Sequence, residues 1–197
     1  MAGPQTAPTP LRTVIWRRHQ DNASLEYAVL SRLEAGYEIT GDIVSAHAGE
    51  PLRVVYRLQC GLDWRSRLLS LEQHRGARES VTLSLAVDPR GGWAVNGRRA
   101  ESLAHCVDID LGLSPSTNAL PINRLRLSVG EKAEIAAVWV RFPDLEVVPA
   151  RQSYERRGER TYHYASPASG FHADIQVDEF GLPVLYQDIW ERIAEQR

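Results

Sequence analysis

Lysine is almost absent from this chain: of 23 basic residues only Lys132 is lysine, and the rest are arginine. They are balanced by 25 acidic residues, which leaves a formal net charge of −2. The strongly basic face that nucleic acid requires is therefore not expected, and no nucleic-acid partner follows. Long apolar runs are missing too. No stretch approaches the ~20 residues of a membrane span, and the opening MAGPQTAPTPLR has no apolar segment for a signal peptide. No transmembrane segment and a cytoplasmic location are the expectations. The two cysteines, Cys60 and Cys106, sit in strand-like segments without metal spacing, so buried free thiols are expected. The P-loop, G-x-G-x-x-G, G-x-S-x-G, H-E-x-x-H and paired C-x-x-C motifs are all lacking, and the six histidines never fall at ligand spacing. No cofactor or resident metal is predicted, and oligomeric state is left open.

What is present is alternation. Leu52, Val54, Tyr56, Leu58 and Cys60 share one face of a strand while Arg53, Arg57 and Gln59 occupy most of the other. Val81 to Val87 and Phe171 to Val177 repeat the period-2 pattern, and Asn96-Gly97 is a strong hairpin signal. The polar segment His19 to Ala23 reads as a hinge between strands, and Asp88 to Gly92 as a turn. With 197 residues, no linker and no internal repeat, one β domain over residues 11–197 is predicted, after a flexible tail over 1–10. At the end of the chain Asp188 and Glu191 have capping-box spacing, and Ile189, Trp190 and Ile193 lie at helical intervals. A short C-terminal helix is predicted there.

The densest stretch runs from His105 to Leu127. Val107, Ile109 and Leu111 alternate with Cys106, Asp108 and Asp110, which places both carboxylates on one face of a strand. Gly112, Ser114, Pro115, Ser116, Thr117 and Asn118 then form a shaped loop of turn-formers, closed by Pro121. Asn123, Arg124 and Arg126 follow among leucines, so a polar site and a core segment share one short piece of chain.

The runs CVDIDL and SPSTNALPINRL in this stretch, with WRSR at Trp64–Arg67 and QSYERR at Gln152–Arg157, resemble the bacterial glycolipid-binding family. The resemblance extends from about Ile15 to Trp190. It implies a mainly β fold, a many-stranded antiparallel sheet curled as a spiral β-roll around a short C-terminal helix. It also implies a lipid or glycolipid ligand, in a role in glycolipid transport or metabolism.

The candidate ligand-binding residues are Arg65, Arg67, Asp108, Asp110, Asn118, Arg124, Gln152, Tyr154, Tyr162 and Tyr164. Simple alternation puts Arg65 and Arg67 on the face of Leu69 and Leu71, toward whatever the sheet encloses; a bulge would instead turn them to solvent. Asp108 and Asp110 admit two readings. They can act as acid and base or hold a divalent ion with a third ligand, or they can pair with Arg65, Arg67 or Arg124 and shape the fold. Tyr162 and Tyr164 lie across a hairpin from Tyr154 in an aromatic ladder, with Gln152 on the face of Tyr154. Trp139 and Trp190 are expected in the core. The leading reading is a non-enzymatic lipid-binding protein with arginines at the headgroup and aromatics along the wall. The alternatives are an enzyme working through Asp108 and Asp110, and a scaffold for a protein partner.

Overall fold

The computed structural model describes residues 7–19, 23–88 and 91–196. Most of the hinge at 19–23, two residues of the turn at 88–92 and the first six residues of the tail lie outside them. β1 (Thr9–Arg18) starts two residues inside the expected tail. It continues into a meander of β2 (Ser24–Leu33), β3 (Gly36–His47), β4 (Glu50–Gly61), β5 (Ser66–Arg75) and β6 (Val81–Val87). β7 (Trp93–Val95) and β8 (Arg98–Arg99), joined at Asn96-Gly97, end that half of the sheet. The second half is β9 (Asp108–Leu111), β10 (Lys132–Arg141), β11 (Glu146–Arg156), β12 (Thr161–Ser166), β13 (Phe171–Val177), β14 (Pro183–Tyr186) and β15 (Trp190–Gln196). The 15 strands of the described residues form one open sheet, in which β1 pairs with both β2 and β15 and so joins the two halves.

The sheet is mainly antiparallel, as predicted, with one parallel pair, β9 on β10. A parallel pair needs a crossover, and this one carries the α-helix, α1 (Ala119–Leu125). The helix therefore lies inside the shaped loop and not at the C-terminus. Pro121 is compatible with it because it sits in the first turn, where a backbone N–H has no intrahelical partner. The predicted C-terminal helix is corrected to strand β15. Asp188 has a left-handed φ of 59° in the turn before it, and Trp190 to Gln196 pair with β1. The backbone edge of β1 would otherwise be left open, and satisfying it outweighs a weak helical pattern.

Leu113 to Ile122 are all buried, so this non-strand segment plugs the curl of the sheet. Around it pack Trp16, Ile43, Leu58, Leu69, Leu85, Val138 and Ile175, each at most 1% exposed. Burying side chains of this size is worth about 1.5–3 kcal/mol apiece. The indole N–H groups of Trp16 and Trp93 donate to the carbonyls of Pro183 (2.7 Å) and Cys106 (2.9 Å), so neither buried donor is stranded. Cys60 and Cys106 are buried free thiols.

Candidate functional site

A plug of turn-forming residues can be buried only if its polar groups find partners inside. Ser114 Oγ donates to Glu26 Oε1 (2.8 Å), and the Tyr56 hydroxyl bonds both Glu26 Oε1 (2.5 Å) and Ser116 Oγ (2.7 Å). Tyr154 OH donates to Asn118 Oδ1 (2.9 Å), whose Nδ2 donates to the Pro115 carbonyl (3.0 Å). These bonds fix the plug against β2, β4 and β11.

Beside the plug a cleft of about 280 Å³ opens at one end of the roll. Its polar lining is Asp110 from β9, Ser114 and Asn118 from the plug, Gln152 from β11, Arg18 from β1, Ser166 from β12 and Ser169 from the turn that follows. Its aromatic lining is Trp139, Tyr164, Phe171, Tyr186 and Trp190. Gln152 Nε2 donates to Asp110 Oδ2 at 2.6 Å. Burial pushes the Asp110 carboxyl up to about 6, against the lowering effect of hydrogen bonds from Gln152 and Thr117. The ring of Tyr164 meets Tyr154 edge-on at 5.3 Å and Tyr186 at 6.2 Å. Burial raises the phenols of Tyr154, Tyr164 and Tyr186, so all three remain neutral hydrogen-bonding groups. At Gly112 a Cβ would come within 3.1 Å of Trp139 Nε1 and 3.2 Å of the Val140 carbonyl, so the absent side chain is what lets the indole lie close to the loop.

The predicted residues divide among several places. Asp110, Asn118, Gln152 and Tyr164 line the cleft, and Tyr154 supports it from behind. Asp108 is 1% exposed and paired with Arg124, one of the arginine partners expected for it. Tyr162 faces a different hollow, where Arg156 lies 5.8 Å over its ring. Arg65 and Arg67 do not point inward: both are more than half exposed beside Asp63, at 3.6 and 3.9 Å. The cause is a bulge. Gln59 pairs with Leu68 but Cys60 pairs with Ser66, so Arg67 is the extra residue and the alternation changes phase there. Trp139 is a correction as well, since it lines the cleft and stacks near Arg141 (5.2 Å) instead of filling the core. Among the described residues no three His, Cys, Asp or Glu side chains converge on a metal site.

A wider hollow of about 750 Å³ lies over β2 to β6, lined by outward groups such as Tyr27, Asp42, Val55 and Arg57. It is an open saddle whose Asp42 is already forked by Arg53 at 3.0 and 2.6 Å. The smaller cleft has the convergent polar groups expected of a ligand site.

The family model described as "Putative glycolipid-binding" matches residues 13–192. The chain belongs to this family. A crystal structure of a DUF1089 family protein from Pseudomonas aeruginosa is similar to this glycolipid-binding family member. It is 30% identical, with 98% of this chain and 97% of that chain covered and a TM-score of 0.78. No curated protein matches this member of the family. No helix of the described residues is long and apolar enough to cross a membrane.

Proposed function

We propose that this protein binds the saccharide headgroup of a glycolipid in the cleft at Asp110 and leaves the acyl chains outside the roll. The family supports a binding role. The observation that carries the headgroup reading is the Asp110–Gln152 pair at 2.6 Å within an aromatic-lined cleft of about 280 Å³. Carboxylate, amide and aromatic faces suit the hydroxyls and apolar ring faces of a sugar. A volume at the low end of ligand pockets, roughly 300 Å³ upward, suits a headgroup better than a whole lipid. The plug and packed side chains fill the curl of the sheet, which supports a ligand held in the cleft at its side and not within the core. Such binding would serve the transport, presentation or metabolism of a glycolipid.

The test is native mass spectrometry of freshly purified protein with organic extraction of any adduct, followed by titration of water-soluble alkyl glycosides monitored by tryptophan fluorescence. A glycolipid adduct, and a saturable fluorescence change that disappears in Trp139→Ala, are the expected results. Binding of fatty acids in preference to any glycoside would overturn the headgroup reading.

One observation favours a second reading. A carboxyl raised to about 6 in a cleft is suited to general acid catalysis on a glycosidic bond. The usual second carboxylate is missing, because Asp108 is occupied by Arg124. Turnover of aryl glycosides that is abolished in Asp110→Asn would favour this enzyme; a binding protein shows no turnover at all.

A further inference from the structure

The inward face of β1 carries an arginine at each end, and the two are treated differently. Arg12, Val14, Trp16 and Arg18 share the parity that faces the interior. Arg12 is 2% exposed and surrounded by carboxylates: Asp178 at 3.8 Å, Glu195 at 3.5 Å, and Glu179 in direct contact. Arg18, half-buried at the other end, makes no ion pair and no side-chain hydrogen bond among the described residues. Its guanidinium lies 5.7 Å over the ring of Trp190, and its buried Nε has no acceptor.

A guanidinium partly withdrawn from water, with its Nε buried and no anion beside it, is less favourably placed than one that is paired. Burial alone lowers the Arg18 pKa, with no carboxylate acting to raise it. Arg18 and Asp110 line the same cleft, where Asp110 accepts from Gln152, and no ion pair joins the two among the described residues. The cleft thus presents an unneutralised planar cation and, elsewhere in its lining, a hydrogen-bonded carboxyl with two amides.

We infer that the headgroup bound here is acidic: a sugar bearing a carboxylate or phosphate, whose oxyanion is taken by Arg18 while Asp110, Gln152 and Asn118 receive its hydroxyls. This rests on the cleft being a saccharide site. A guanidinium fork matches either oxyanion with two parallel N–H bonds, and the charge-assisted bonds are the strong ones. Trp190 holds the guanidinium plane in place beneath them.

The experiment compares methyl glucoside, methyl glucuronoside, glucose 6-phosphate and inorganic phosphate by calorimetric titration at low salt. The proteins are the natural protein, Arg18→Gln and Arg18→Lys, each checked for folding by circular dichroism. The expected result is binding of an acidic sugar roughly tenfold or more tighter than of the neutral one, a preference lost in Arg18→Gln and partly kept in Arg18→Lys. Whether glucuronoside or sugar phosphate binds tighter distinguishes the two sources of the oxyanion. Equal affinity for neutral and acidic sugars, or an Arg18→Gln protein with its preference intact, would overturn the inference while leaving the saccharide site standing. Phosphate alone binding as tightly as glucose 6-phosphate would overturn it by showing a simple anion site. No binding of any sugar would remove the saccharide site, and this inference with it.

Discussion

Arg124, in the last turn of α1, closes a two-bond fork on Asp108, with Nε 3.0 Å from Oδ1 and Nη2 2.6 Å from Oδ2. The fork ties the crossover helix to the strand it leaves, and the two partners are unequally buried. Asp108 is 1% exposed and Arg124 16%. Burial raises the Asp108 pKa even against the opposing pull of Arg124. Removing the arginine therefore strands a carboxylate that cannot reach water, whereas removing the carboxylate leaves a long side chain able to turn outward. Arg124→Gln is expected to lose about 3–5 kcal/mol at neutral pH, and Asp108→Asn distinctly less. Urea unfolding at pH 7.5 and pH 5 checks this. The Arg124→Gln loss should shrink at the lower pH, where the stranded carboxyl can protonate. Equal losses in the two variants would show that burial does not set the asymmetry.

Glu26 makes a separate prediction about pH. It is fully buried on β2, and burial raises it from 4.5 to about 7 against the lowering effect of bonds from Tyr56 and Ser114. Its Oε2 has no partner. A carboxyl that binds its proton more tightly folded than unfolded adds stability as pH falls through the folded value, until the unfolded chain also protonates. The window is therefore about pH 7 down to about 4.5. The full effect is on the order of 3 kcal/mol. Glu26→Gln keeps a carbonyl for Tyr56 and Ser114 and removes the titration. In urea titrations it should exceed the natural protein in stability at pH 8 and converge on it near pH 5. A pH-independent difference between the two would place the proton elsewhere.

The features legible in the sequence were those set by local pattern. The strands β4, β6 and β13, the Asn96-Gly97 hairpin and the residues Asp110, Asn118, Gln152 and Tyr164 of the cleft follow from alternation and turn chemistry. What was hidden depended on partners far along the chain. β15 is a strand because β1, more than 170 residues earlier, offers it an edge. Arg67 turns outward because of one unpaired residue in a bulge, which no periodicity reveals. On β2 both faces look apolar, Leu25 and Tyr27 on one and Ala28 and Leu30 on the other, yet Leu25 is 48% exposed and Glu26 is 0%. No local pattern marks Arg18 as part of the cleft, because its neighbour there, Trp190, lies 172 positions along the chain. The parity of Arg18 with Val14 and Trp16 was the available signal, and it gives the face alone.

The network behind the cleft depends on one missing side chain. Gly41 on β3 is paired with Tyr56 on β4, and both face inward. A Cβ at position 41 would lie 2.2 Å from Cε1, 2.5 Å from Cζ and 2.7 Å from the hydroxyl of Tyr56. The glycine is thus the floor on which the phenol lies as it reaches Glu26 and Ser116. Gly41→Ala must move the ring, and the ring cannot move without lengthening its bonds to Glu26 (2.5 Å) and Ser116 (2.7 Å). Overpacking of this kind costs about 1–3 kcal/mol. Loss of a buried hydrogen bond to a carboxyl adds to it. The variant is expected to melt several degrees lower and, below its melting point, to exchange the amide protons of Ser114 and Ser116 faster than the natural protein. Pairing it with Tyr56→Phe separates the causes: without the hydroxyl the alanine should cost less, because the ring is free to shift. If Gly41→Ala were as costly on the Tyr56→Phe background as on the natural one, the penalty would belong to ring packing alone and the hydrogen-bonded network would not be what holds the plug.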